Sequence, residues 1–263
     1  MAKAKIDAAL KGGKPPRLYR YRIVGDWFKG RVAASLTPGE IETKLTENCK
    51  TPANFNRYRV AISHAFKVGM RNGKAVKNPG SLIPLKKENN VRVRYLEPEE
   101  ETAVRKAIRE ECLNREPEFD LALYTGMRWS EQYGLRWKEV DLKRNWITLL
   151  ETKSGVRQHV VLNTSAQKAL KQLRAIAPFS EFVCPDQDGW THRKWWDAVR
   201  KKSKVTNFEW HDLRHTFASR LVMNGVDIYS VNKLLRHETL QVTKRYAHLA
   251  DTHLQRAAEL IGG

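Results

Sequence analysis

The chain has 263 residues, 41% of them hydrophobic, and a formal net charge of +19. This length fits one large domain or two ordinary ones, and the hydrophobic share excludes a disordered polyelectrolyte. Residues 1–94 carry 21 Lys and Arg against 6 Asp and Glu, whereas residues 95–263 carry 27 against 23, so the positive excess sits in the first third. Such asymmetry points to nucleic acid as a partner. The rival reading, an acidic membrane surface, lacks a lipidation motif and an apolar run long enough to span.

In chain order, residues 1–16 are small and Lys-rich, with Gly12-Gly13 and Pro15-Pro16, and read as a mobile basic leader. Met1-Ala2-Lys3-Ala4-Lys5 has no apolar core of a signal peptide, so a cytoplasmic protein is expected. From Tyr19 to about Asn78 the pattern is helical. Thr37-Pro38-Gly39-Glu40 reads as an N-cap, a first-turn proline and an acid at the third position. Thr51-Pro52 opens a second helix in the same way. Phe55, Tyr58, Ile62, Ala65, Phe66 and Met70 form its buried stripe, with Asn54, Arg57, Arg59, Lys67 and Arg71 between or beside them. Residues 80–96 read as a linker, and the shift in charge places a domain boundary near residue 92.

The second part predicts helices over 98–112, 117–125 and 129–135. Trp146 to Leu150 and Gln158 to Leu162 read as strands joined by a turn at Lys153-Ser154-Gly155. A helix over 164–177, a short strand at Phe182-Val183-Cys184, and helices over 191–202, 210–224, 227–236, 239–247 and 251–261 complete the pattern. Trp190, Trp195 and Trp196 are read as core or interface residues, Asp186 to Gly189 as a plain turn, and Arg200 to Lys204 as a solvated helix end. Cys49, Cys112 and Cys184 are odd in number and widely spaced, which indicates neither a disulfide framework nor a zinc site. The fold class expected is mainly α with a small β-sheet.

Several residues fit one chemistry. Cutting a phosphodiester without a metal needs a nucleophile, a proton for the leaving oxygen, and fixed cations at the non-bridging oxygens. Arginine suits the last role because its planar fork gives paired bonds and keeps its charge. A tyrosine phenol, with a pKa of about 10, needs a base or strong anion stabilisation to attack at neutral pH. Arg128 follows a glycine turn, and Glu131 lies three residues on, placed to orient its guanidinium. Lys153 sits at the hairpin turn. His211 and Arg214 share one helix face, and His237 and Tyr246 follow. Taken singly, each has a bland reading: a surface Arg–Glu pair, a solvated turn lysine, a core tyrosine. His215 is read as structural, and His211 with His215 lacks the companion ligands of a zinc site.

Together the motifs resemble the tyrosine recombinase, or phage integrase, family. They are Thr-Gly-Met-Arg-x-x-Glu at 125–131, Thr-Lys-x-Gly at 152–155, His-x-x-Arg-His at 211–215, Leu-Leu-x-His at 234–237 and Arg-Tyr-Ala-His-Leu at 245–249. The resemblance implies that Tyr246 is the nucleophile of a 3′-phosphotyrosine intermediate. Arg128 and Arg214 would clamp the scissile phosphate, and Lys153 would protonate the leaving 5′-oxygen. His211 would accept a proton or donate to the phosphate, and His237 would donate to a non-bridging oxygen. No metal or other cofactor is implied. Residues 17–92 resemble the family's core-binding domain, with Asn56-Arg57-Tyr58 and Asn78-Pro79 as landmarks, so Asn56, Arg57, Arg59, Lys67 and Arg71 are expected DNA contacts. Residues 93–263 would be the catalytic domain, with a tail over 251–263. Residues 1–16 are too short for the further arm-binding domain that many members carry.

The implied partner is a double-stranded core site, held by a homotetramer spanning two sites that associates weakly without DNA, with accessory DNA-bending or directionality proteins and no membrane. A bacterial or phage-infected cell is the implied setting. Integration or excision of a mobile element is the expected task. A type IB-like topoisomerase and a non-enzymatic DNA-binding protein retaining the fold are the alternatives. One position departs from the family: Arg236 stands where a glycine normally precedes the histidine.

Overall fold

The structure, a computed structural model, describes residues 16–88, 93–149, 157–186 and 189–250. The chain divides into two compact units, Met1–Asn90 and Val91–Gly263.

Among the described residues, the first unit holds three α-helices: α1 (Pro16–Trp27), α2 (Pro38–Asn48) and α3 (Pro52–Arg71). The Thr37 hydroxyl accepts from the Glu40 amide, and the Glu40 carboxylate accepts from the Thr37 amide at 2.9 Å, a reciprocal cap that starts α2. Thr51 caps α3 through the Asn54 amide at 3.2 Å. Ile41, Leu45, Phe55, Ile62, Phe66 and Ile83 make the core of the unit. The segment after α3 is held by polar side chains. The Asn56 amide group donates to the Lys86 carbonyl and accepts from the Lys86 amide, both at 2.8 Å. Arg59 donates to the carbonyls of Ile83 and Ser81 at 2.9 and 2.8 Å.

The second unit contains α4 (Pro98–Cys112), α5 (Glu116–Thr125), α6 (Trp129–Tyr133), β1 (Val140–Asp141), β2 (Trp146–Leu149), β3 (Gln158–Val161) and α7 (Thr164–Ile176). It continues with α8 (Gly189–Ser203), α9 (Asp212–Met223), α10 (Ile228–Leu235), α11 (Leu240–Thr243) and a 3₁₀ segment over Lys244–Ala250. The strands form one antiparallel sheet in the order β1-β2-β3, with Ile147 opposite Val140 and Val160. Ile147, Leu149 and Val160 point inward, the period-2 pattern of a half-buried sheet. The mainly α fold with a small sheet is therefore as expected.

Two expected elements differ among the described residues; the helix expected over 251–261 and the turn expected at Lys153-Ser154-Gly155 lie outside them. Phe182 to Cys184 is not a strand; Phe182 makes a single bridge to Arg136, and the Val183 amide donates to the Leu135 carbonyl at 2.9 Å. With Pro178 before it and Pro185 after it, the segment cannot extend into a ladder. The helix expected over 239–247 breaks after Thr243 into a 3₁₀ segment. Val242 and Thr243 are β-branched, and the Thr243 hydroxyl is engaged by side chains of neighbouring elements. Trp195 and Trp196 are buried, as expected of core residues, whereas Trp190 is exposed.

His192 lies among aromatic edges, with Trp210 at 4.6 Å and Tyr133 at 4.9 Å between ring centroids. Desolvation first, and then the Arg115 charge, pull its pKa from 6.5 down to about 4. Between these values only the unfolded chain binds the proton, so stability falls as pH drops through that window. Chemical denaturation at about pH 7 and about pH 5 is expected to show a smaller acid loss in His192→Phe than in the wild type.

Candidate active site

Helix α5 ends at Gly126, whose φ of +58° lies in the left-handed region. A Cβ there would come within 2.7 Å of Phe217 Cδ1, so both backbone and space require glycine. The turn delivers Arg128 to the N-cap of α6. Glu131, in the first turn, accepts from the Arg128 amide at 2.9 Å and from Arg128 Nη1 at 2.5 Å. Arg128 and Arg236 more than offset burial and hold the Glu131 carboxyl at about 2. Helix α6 is anchored from behind. Gln132 donates to the Glu118 carbonyl at 2.8 Å, and the Tyr133 hydroxyl donates to the buried Glu118 carboxylate at 2.6 Å. The Arg128 side chain is left 40% exposed, with donors that Glu131 does not use.

Arg214 lies in the first turn of α9, buried to 3% exposure. Its Nη1 donates to the Gly126 carbonyl at 2.5 Å and its Nη2 to the Leu235 carbonyl, tying the end of α5 to the end of α10. Burial first, then the charges of Arg128 and Arg236, lower its pKa to about 9, so it remains cationic at neutral pH. Two engaged donors of five leave the rest of the fork for an anion.

Helix α10 stops at Arg236 in left-handed conformation, and His237 follows. Asn232 Nδ2 donates to the Thr243 hydroxyl at 2.8 Å, and that hydroxyl lies 2.8 Å from His237 Nδ1. The hydroxyl that accepts from Asn232 keeps a proton it can donate to Nδ1, and in that tautomer Nε2 carries the imidazole proton and is a donor. Desolvation, then Arg214 and Arg128, push the His237 pKa down to about 3, keeping the ring neutral.

Tyr246, in the 3₁₀ segment, is 1% exposed. Its hydroxyl is 2.5 Å from His215 Nδ1. Desolvation pushes its pKa up to about 12 against the opposing pull of Arg245 and Arg214. His211 packs edge-on against His215, 5.3 Å between centroids. Desolvation, then Arg214, lower its pKa although part of the residue stays exposed.

Thus Arg128, Glu131, His211, Arg214, His237 and Tyr246 converge within the second unit. Lys153 lies outside the described residues. The residue against the phenol is His215, read from sequence as structural. Its one signal was position: four residues past His211, it stands one helical turn further along the same face. In the first unit, Arg57, Lys67 and Arg71 are exposed along α3. Asn56 and Arg59, also expected to contact DNA, bond the backbone at Lys86, Ile83 and Ser81. Their polar groups sit beside the apolar stripe, where they satisfy carbonyls of the following segment. Among the described residues, no three His, Cys, Asp or Glu side chains gather to hold a metal, and no helix is long and apolar enough to cross a membrane.

The model of the phage integrase family matches residues 94–253. The integrase of Salmonella phage P22 is 33% identical over 201 residues, 68% of this chain and 50% of that protein. The chain spans about half the length of the curated relatives it matches. A lambda integrase dimer bound to a COC′ core site superposes with a TM-score of 0.78 at 18% identity, over 94% of this chain and 93% of the other. A lambda integrase tetramer bound to a Holliday junction gives 0.73 at 19% identity, over 88% and 70%. These two likenesses establish the fold.

Proposed function

Because this chain belongs to the phage integrase family, we propose that it is a site-specific DNA recombinase that breaks and rejoins duplex DNA through a 3′-phosphotyrosine at Tyr246. The observation that carries the reading is the position of the Tyr246 phenol, 2.5 Å from a histidine ring nitrogen and within the field of Arg214 and Arg245. In the reaction, the phenol proton passes to His215 Nδ1 and the phenolate oxygen attacks phosphorus. Arg128 and Arg214 meet the charge growing on the non-bridging oxygens, and His237 Nε2 donates to one of them. Lys153 protonates the departing 5′-oxygen. Attack of a 5′-hydroxyl on the phosphotyrosine reverses each transfer, so the covalent bond conserves the energy of the broken one.

At 1% exposure, Tyr246 is sheltered. The reading therefore requires the Lys244–Ala250 segment to shift as DNA seats, which also keeps the resting phenol protonated and inert. Exposed Arg57, Lys67 and Arg71 on α3 are the proposed backbone contacts of the first unit. A tetramer on two sites is the proposed assembly, supported by the fold shared with the Holliday-junction tetramer. A cytoplasmic setting, accessory DNA-bending proteins, and a mobile element's integration or excision complete the proposal. A plasmid carrying two sites separates the readings: recombinant circles support the recombinase, relaxation alone supports a topoisomerase, and binding with neither supports a non-enzymatic protein.

A further inference from the structure

Arg236 occupies a position where the backbone has φ +58°, a conformation that side chains other than glycine rarely adopt. Its side chain does not swing into solvent. It is 3% exposed, and its Nη2 lies 3.0 Å from Glu131 Oε2. Its Nη1 donates to the Leu234 carbonyl at 2.7 Å, and its Nε finds no partner among the described residues. The same Glu131 oxygen accepts the Arg128 amide, and the other oxygen holds the Arg128 guanidinium. One carboxylate is thus shared by two guanidiniums that approach from α6 and from the end of α10.

We infer that Arg236 is a positioning residue for Arg128: it fixes Glu131 from the far side and offsets its charge. The inference rests on the strand-transfer reading and deepens it. The physical reason is a count of charge. An Arg128–Glu131 pair alone is neutral, so the carboxylate that orients the arginine also cancels much of its pull on a phosphate. With Arg236 the triad carries a net charge of about +1, and Arg128 stays oriented without being neutralised. A carboxylate held on one side only would also be free to turn with Arg128 when an anion arrives. The second clamp removes that freedom, so the guanidinium meets the phosphate already placed. Glycine at this position would relieve the backbone and supply neither effect.

Arg236→Gly and Arg236→Asn both tolerate the left-handed backbone, which offsets part of the cost of removing a buried ion pair, so each is assayed well below its own unfolding midpoint. The measurement is the single-turnover rate of covalent adduct formation on a nicked duplex core site, with DNA affinity read in parallel. Both variants are expected to lose about tenfold or more in rate while affinity changes by less than about threefold. Arg236→Lys, which keeps the charge, is expected to recover most of the rate. In a Glu131→Gln background, Arg236→Gly is expected to have little further effect, because the residue it acts through is gone. The role is overturned if Arg236→Gly forms adduct at the wild-type rate, or if its loss is undiminished in the Glu131→Gln background. If the wild type forms no adduct, strand transfer itself fails and the role falls with it. A wild type that reacts beside an unaffected Arg236→Gly overturns the Arg236 role alone.

Discussion

Tyr246→Phe is expected to bind duplex DNA as the wild type does and to form no covalent adduct, with strand exchange falling below detection. The substitution removes one oxygen from a side chain that is 1% exposed and leaves the ring packed beside Ala218, Val222, Val231 and Leu235. The hydrogen bond lost is the one to His215, so stability should change by only about 1 kcal/mol. That small change, read by thermal unfolding, separates chemistry from folding. His215→Ala is a weaker version of the same experiment, because the phenol keeps its position and loses its nearest proton acceptor. A gel-shift titration beside a denaturing gel for adduct measures both halves.

Arg214→Lys is expected to lower the rate of cleavage by about 10²-fold or more, the scale of removing a preorganised donor to a transition-state anion. Lysine keeps a charge but cannot reproduce the fork that reaches the Gly126 and Leu235 carbonyls at once. Arg214→Ala would add a folding defect of about 2 kcal/mol or more, since both buried carbonyls lose their donor. Comparing the two variants well below their unfolding midpoints divides the lost rate from the lost structure. Arg214→Lys should retain the packing of α5 against α9 and still fail at the phosphate.

Much of this arrangement is legible from local sequence. Thr37 and Glu40 announce a reciprocal cap because both partners lie within one turn. The strands that carry Ile147, Leu149 and Val160 follow from their β-branched and apolar content. The spacing of His211 and Arg214 places them at the start of one helix, and they stand at the N-cap and in the first turn of α9. What eluded the sequence depends on contacts far along the chain. Asn56 and Arg59 look like a helix's polar face, and only the return of residues 81–88 shows that they also hold the backbone of that segment. His215 is an ordinary helix residue until the segment after α11 brings Tyr246 onto it, 31 positions later. Arg236 reads as a disruption of a glycine position, because Glu131, which gives its side chain a purpose, is 105 residues away. Phe182 to Cys184 has strand composition, but a strand needs a neighbour, and among the described residues it finds a single bridge to Arg136.

The central claim is that the phenol of Tyr246 becomes joined to the 3′ end of a cut DNA strand. A duplex nicked close to the cleavage point loses the short fragment that carries the 5′-hydroxyl, so rejoining stops and the adduct accumulates. Digesting that adduct and locating the modified peptide by mass spectrometry tests the claim most directly. A single nucleotide-bearing peptide is expected, modified at Tyr246 and absent from Tyr246→Phe. An adduct on another residue, or DNA bound at full occupancy with no covalent species, would contradict it.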